Sequence, residues 1–402
     1  MSDVRPFRAL RPRDDLAGEI IAPPYDVLTD AECRALARAP RSFVHVTRSE
    51  VDLPPDADPH GDAAYAKAAE NLVRFVREGW MVLDEDETYY LYAQTDGDHH
   101  QVAILGGASV AEYADGRIAR HEHTRPDKED DRTRHLEALD AQVGLVFLAY
   151  PPTAPLAALV AEAERAPAAW RVRTEDGVIH ALRPVPVALV PAFRAAFAAV
   201  PRLYVCDGHH RSAAAARVAA TRRGGAADHF LAGLFPADQL RCLAYNRLVT
   251  DLAGHDADGF WAAAAAAGWE VFADGPAAPA QRGDVSVYLG GRWRTLRAGP
   301  RLRTEDPVRG LDVSLLQDHL LGPILGIDDP RRATRIQFVG GARGTDALRA
   351  AVDRGEAAVA FSMYPTGLDQ LFRVADAGEV MPPKSTWFEP KLREGVAIRL
   401  LS

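Results

Sequence analysis

The stretch "LYVCDGHHRSAAAARVA", Leu203 to Ala219, sets an acid, a glycine, two imidazoles and a guanidinium between a short apolar run and a run of alanines. The apolar run reads as a strand ending at Asp207 and the alanines as a helix beginning close to Ser212, which leaves the polar residues in the turn between them. Gly208 permits the tight or positive-φ turn that such a junction needs. Backbone N–H groups without intrahelical acceptors, together with the positive end of the helix dipole, make this a place for an anion. Arg211 adds a planar fork suited to phosphate, and His209 and His210 add donors. One such histidine alone reads as an exposed or core residue, whereas five such groups in succession at one junction read as a site.

A second cluster lies in "HEHTRPDKEDDRT", His121 to Thr133. Glu122 is a candidate general base, and His121 with His123 a candidate metal pair. In an extended segment residues two apart share a side, so His121 and His123 converge while Glu122 points away, which argues against one metal shell for all three. Glu129 to Arg132 reads as a solvated charged loop. A third candidate, "GEVMPPKSTWFEPK" from Gly378, nearly spells a phosphate loop, but proline stands before Lys384 where glycine is needed. Proline has no N–H and cannot take positive φ, so the amide cradle fails. Lys384 and Lys391 remain candidate anion contacts. "FVGGARGTDAL" lacks dinucleotide-binding spacing and reads as a plain turn.

The elements that must position these groups follow from periodicity. Asp62 to Gly79 places Tyr65, Ala69, Leu72, Phe75 and Val76 at helical spacing. "TYYLYAQ" and "VAILGGASVAEY" flank an Asp-Gly turn and read as two strands, and "LVFLAY" as a buried strand after the charged stretch. Helices are expected at Leu156 to Arg165 and Val187 to Ala199. From about residue 255 the pattern restarts, with helices at Ala257 to Ala267, "VSLLQDHLL" and Asp346 to Arg354 between strand-like "SVYLG", "RWRTLR", "RIQFVG" and "AAVAFSMY". The expected class is mixed α/β. Three regions are expected, residues 1–115, 116–254 and 255–402.

The 402 residues, 48% apolar and 26% charged, suit a folded globular protein. With 47 basic against 56 acidic side chains the net charge is -9, which argues against a broad nucleic-acid-binding surface. Cys33, Cys206 and Cys242 are too far apart for a zinc site and odd in number, so a reducing cytoplasm is the expected location. Cys206 reads as a small core residue. No leader-like or membrane-spanning run is apparent, so no membrane partner is expected.

"DGHHR" together with "PFRALRP", "APPYDV", "HEHT", "LDVSLL" and "MPPKSTWFEPKL" resembles the bacterial and archaeal domain of unknown function 1015 family, from Pro6 to Leu392. The strand, "DGHHR", helix unit is also similar to the phosphate loop of the ParB and sulfiredoxin superfamily, which includes free-serine kinases. That likeness implies a ParB/sulfiredoxin-like central unit elaborated at both ends, with nucleotide phosphates on Gly208, His209, His210, Arg211 and Ser212. It also implies Glu122 as the catalytic base. Sulfiredoxin's reactive cysteine is replaced by His209, and no helix-turn-helix is evident, so neither sulfiredoxin chemistry nor a DNA clamp is expected.

The expected function is therefore a nucleotide-binding protein, ATP- or ADP-dependent, that transfers phosphoryl to a small hydroxyl substrate such as serine. Mg²⁺ would bridge phosphate oxygens, and Asp207 would hold a metal or orient the loop. Two alternatives remain. One is a non-enzymatic nucleotide-responsive interaction protein; the other is a metal-dependent hydrolase using His121, His123, Asp207, His209 and His210.

Overall fold

The computed structural model describes residues 2–222 and 224–402. The chain forms two compact units: one runs to Leu240 and is completed by Pro390–Ser402, and the other is Arg241–Glu389. Both mix helices with sheets, as expected.

Nine strands of the first unit form one mixed sheet: β1 (Val4–Arg5), β2 (Tyr90–Asp96), β3 (His99–Ser109), β4 (Ile118–Ala119), β5 (Val146–Tyr150), β6 (Trp170–Arg173), β7 (Ile179–Pro184), β8 (Leu203–Asp207) and β9 (His229–Pro236). Their spatial order is β4, β8, β5, β9, β3, β2, β7, β6, with β1 beside β3. The β4–β8 and β5–β9 pairs are parallel and the others antiparallel. Central strands β5 and β9 are almost wholly apolar, as burial on both faces requires. β2 and β3 form the hairpin expected around the Asp-Gly turn, with Gly97 at φ +57°.

The pairing of β3 with β9 places residues on both sides of position 115 in one sheet. Tyr245–Val249 pairs only within the second unit, in a six-stranded antiparallel sheet. The unit boundaries therefore differ from divisions at 115 and 254.

Three helices matter to the site: α1 (Asp62–Arg77), α2 (Pro126–Leu139) and α3 (His209–Arg222). In α1 the buried face includes Tyr65, Ala68, Leu72 and Phe75, while Val76 is exposed. The charged stretch Glu129 to Arg132 is not a loop but the middle of α2, with Pro126 in its first turn. Its buried face is held by charge pairing as much as by apolar contact, and apolar periodicity does not report that. Buried Asp131 accepts from Tyr65 Oη at 2.8 Å, His60 Nδ1 at 2.9 Å and Arg132 Nη2 at 2.6 Å.

Burial alone would raise the Asp131 pKa, but Arg132, Tyr65 and His60 outweigh it and bring it down to about 2. A group whose folded pKa is depressed stabilises the fold above its unfolded pKa and loses that contribution as pH falls. Asp131→Asn should therefore cost about 3–5 kcal/mol at pH 7, since it leaves Arg132 without its partner. In urea titrations the gap from wild type should close between about pH 4 and pH 2; a constant gap would show that the carboxylate's charge is not what stabilises α2.

Candidate functional site at the start of helix α3

β8 reaches the site through a bulge. Val205 pairs with Leu148 and Asp207 with Phe147, so buried Cys206 is the extra residue. Such a bulge bends the strand and re-aims the side chain that follows. Asp207 Oδ1 accepts the Gly208 N–H at 2.7 Å, and its Oδ2 accepts the Lys391 ammonium at 3.1 Å. Burial opposes the charged carboxylate, but Lys391 and Arg211 prevail and hold it far below the usual range.

Gly208 has φ +89°, and a Cβ there would meet the Val146 Cα at 3.3 Å. Glycine suits both the turn and the close approach. Ser212 N–H donates to the Gly208 carbonyl at 3.0 Å, so α3 begins at His209, three residues before the start expected from sequence. The amides of His209, His210 and Arg211 then fall in the first turn, where a helix supplies no acceptor. Ser212 is fully buried and donates its hydroxyl to the His209 carbonyl at 3.0 Å. Its polar group is thus used within the helix.

Lys391 is carried in by the returning C-terminal segment. Gln94 Nε2 donates to the Lys391 carbonyl at 2.9 Å, the Arg393 N–H donates to Tyr92 Oη at 3.3 Å, and Gln94 is itself fixed by Gln101. Sequence spacing ranked Lys391 with Lys384, whereas the structure sets them in different units. Lys384 lies in the second unit at φ +60°, its ammonium 5.3 Å from the Tyr245 ring centre. It is followed by strand Trp387–Glu389 and not by a helix, so no phosphate loop forms there.

Residues two apart on a helix diverge by about 200°, and His209 and Arg211 accordingly join different clusters. On the His209 side, the His121 and His209 rings meet edge to face with centres 4.6 Å apart. One ligating atom each from His121, Glu122 and His209 lies within 4.8 Å of the others. This corrects the alternation argument: the chain bends at Glu122, which brings that carboxylate to the imidazoles and leaves His123 exposed. Burial lowers the His121 pKa to about 4, and burial with His121 nearby lowers that of His209 well below its usual value. Both rings are neutral at pH 7. His210 stands apart, its Nε2 accepting the Arg125 N–H at 3.1 Å. The five-residue metal set His121, His123, Asp207, His209 and His210 is thus not assembled.

On the Arg211 side, a cavity of about 50 Å³ is lined by Tyr25, Thr47, Arg132, Gly144, Arg211 and Glu394, with apolar neighbours. That is room for roughly three or four waters. Arg211 donates to the Leu145 carbonyl and lies 3.5 Å from Asp26. Arg132 stacks over Tyr25, 4.1 Å from the ring centre. Sequence reading missed Tyr25, Arg132 and Glu394, since only the folded chain gathers residues so far apart.

Over residues 4–314 the sequence matches the family model described as protein of unknown function (DUF1015). The chain belongs to this family. The matched region holds the His121, Glu122 and His209 cluster and the Arg211 surround except Glu394, and stops short of "MPPKSTWFEPKL". Among curated proteins no sequence match was found. Solved structures similar to this DUF1015 member include a conserved hypothetical protein from Pyrococcus furiosus, 13% identical with TM-score 0.38, over 74% of this chain and 95% of that one. A free serine kinase in complex with AMP is 13% identical, TM-score 0.37, covering 74% and 92%. SbnI from Staphylococcus aureus, with a C-terminal truncation, is 12% identical, TM-score 0.40, covering 74% and 87%. Likenesses of this order are distant. Among the described residues no helix is long and apolar enough to cross a membrane.

Burial pushes the Glu394 carboxyl up to about 7, against the pull of Arg211 and a hydrogen bond from Thr47. A raised folded pKa gives stability that is complete below the unfolded pKa and is lost as pH rises through the folded one. Wild type should therefore lose about 1–3 kcal/mol relative to Glu394→Gln between pH 5 and pH 8. Denaturant melts of the two proteins across that range check this, and parallel curves would contradict it.

Proposed function

We propose that the Asp207–Arg211 turn holds the phosphates of a nucleotide, ATP or ADP, and that this DUF1015 member transfers phosphoryl to a small hydroxyl substrate such as serine. The observation that carries the reading is the first turn of α3, whose amides have no acceptor within the helix, preceded by Gly208 and flanked by Lys391 and Arg211. Amides at a helix N-terminus meet phosphate oxygens at the positive end of the dipole, and two cations beside them offset the phosphate charge. Phosphoryl transfer asks a protein mainly for such positioning and charge compensation.

Glu122 lies beside His209 at the same helix start and is exposed, which suits a proton acceptor for an incoming hydroxyl. In the step, the acceptor oxygen bonds to the terminal phosphorus, its proton passes to Glu122, and the bond to the leaving phosphate oxygen breaks. Asp207 does not suit Mg²⁺ in this arrangement, because one carboxylate oxygen takes the Gly208 N–H and the other takes the Lys391 ammonium. Its part in the reading is to orient the loop, and no step is assigned to a metal there.

Calorimetric titration with ADP and ATP, followed by phosphorus NMR with serine and other small alcohols, tests the proposal. Lys391→Met should weaken nucleotide binding about tenfold, the loss of one charge-assisted hydrogen bond. Glu122→Gln should retain binding and lower turnover by about a hundredfold or more. Nucleotide binding without any phosphorylated product would replace the kinase reading with a nucleotide-responsive binding protein. Absence of binding would end both.

A further inference from the structure

The His121, Glu122 and His209 cluster has a feature that phosphate binding leaves unexplained. His121 is 2% exposed and His209 4% exposed, and each presents a buried ring nitrogen, Nδ1 and Nε2 respectively, with no hydrogen-bond partner among the described residues. A buried polar atom without a partner has lost its hydration with nothing in return. Two such atoms on touching rings mark a place where something else completes the arrangement.

We infer that His121 Nδ1, His209 Nε2 and a carboxylate oxygen of Glu122 form a three-ligand site for a divalent transition-metal ion, of which Zn²⁺ is the representative. The His121 ring bonds the Val205 carbonyl, which places its proton on Nε2 and leaves Nδ1 as a lone pair. A second hydrogen bond of this kind, from the far nitrogen to a backbone carbonyl, is what orients a metal-binding imidazole. Two imidazoles and one carboxylate match the donor preference of Zn²⁺ and its neighbours, while Mg²⁺ prefers oxygen and water. Ligand atoms around tetrahedral zinc stand about 3.3 Å apart. One ligand atom of each of the three residues already lies within 4.8 Å of the others, so modest side-chain rotations bring the set to that spacing. Because Glu122 is exposed, a fourth position open to water or substrate is available on its side.

This site goes beyond the phosphotransfer reading and shares with it Glu122 and His209, the latter through its ring where the phosphate reading uses its backbone amide. A carboxylate bound to a metal is no longer a proton acceptor, so a bound ion would remove the base. The two readings are separated by measuring nucleotide binding in chelator and metal binding without nucleotide.

The test is equilibrium dialysis of the full chain against Zn²⁺ with excess Mg²⁺, and visible absorption on Co²⁺ addition. Expected are one Zn²⁺ per chain and Co²⁺ bands of four- or five-coordinate intensity. Glu122→Gln and His209→Gln should each lower Zn²⁺ affinity by about a hundredfold, while exposed neighbour His123→Ala leaves it unchanged. Thermal melts check that the variants fold. If His209→Gln does not fold, surface variant Glu122→Gln and the Co²⁺ spectrum decide. No zinc retained over Mg²⁺, Zn²⁺ affinity equal to wild type in Glu122→Gln, or loss in His123→Ala would each overturn the inference.

Discussion

The ion pair between Asp207 and Lys391 joins the end of β8 to a segment that returns after the inserted second unit. One Asp207 oxygen meets the Lys391 ammonium while the other holds the Gly208 amide. The same carboxylate thus fixes the turn and anchors the C-terminal segment. Each charge is only half-buried, but either one left without its partner is penalised, so the pair ties the fold of the first unit to the shape of its helix start. Gln94, fixed by Gln101, and Tyr92 set the depth at which that segment lies on β2. The consequence is a helix N-terminus whose amides have no acceptor within the helix and whose preceding turn is held in place by the Asp207 carboxylate.

From that junction the polar groups divide by helix phase. His209 turns towards His121 and Glu122, a neutral pair of rings with a carboxylate at the edge. Arg211 turns towards Tyr25, Asp26 and Glu394, an aromatic and acidic surround in which its guanidinium stays charged. One turn of helix therefore sets a donor-poor, lone-pair-rich surface on one flank and a cationic one on the other. Anions and metal ions seek opposite surroundings, and the first turn of α3 offers both within a few residues.

Much of this was legible in the sequence, because local rules govern it. The strand before Asp207, the glycine turn and the alanine-rich helix follow from residue type and spacing, as do α1 and the β2–β3 hairpin. The start of α3 was placed late because His209, His210 and Arg211 look like loop residues until the Gly208 carbonyl is seen to accept from Ser212. α2 was hidden because Asp131 and Arg132 bury charge by pairing, which leaves no apolar stripe to read. The bend at Glu122 defeated an argument from strand alternation. Tyr25, Arg132 and Glu394 could not be assembled from sequence, since their meeting depends on strand order and not on spacing.

The whole of the second unit is inserted between Leu240 and Pro390, within the chain of the first. During synthesis, β8, the Gly208 turn and α3 emerge long before Lys391, and the second unit must be made in the interval. Closing so long a connection adds only a modest entropic cost, because that cost grows with the logarithm of length. It does impose an order: Asp207 and Arg211 wait without Lys391 and Glu394 until the second unit has been made. A chain truncated anywhere within the second unit, Arg241–Glu389, would carry every residue of the "DGHHR" turn and still lack the ammonium that secures it, so the inserted unit must be traversed before the site is whole.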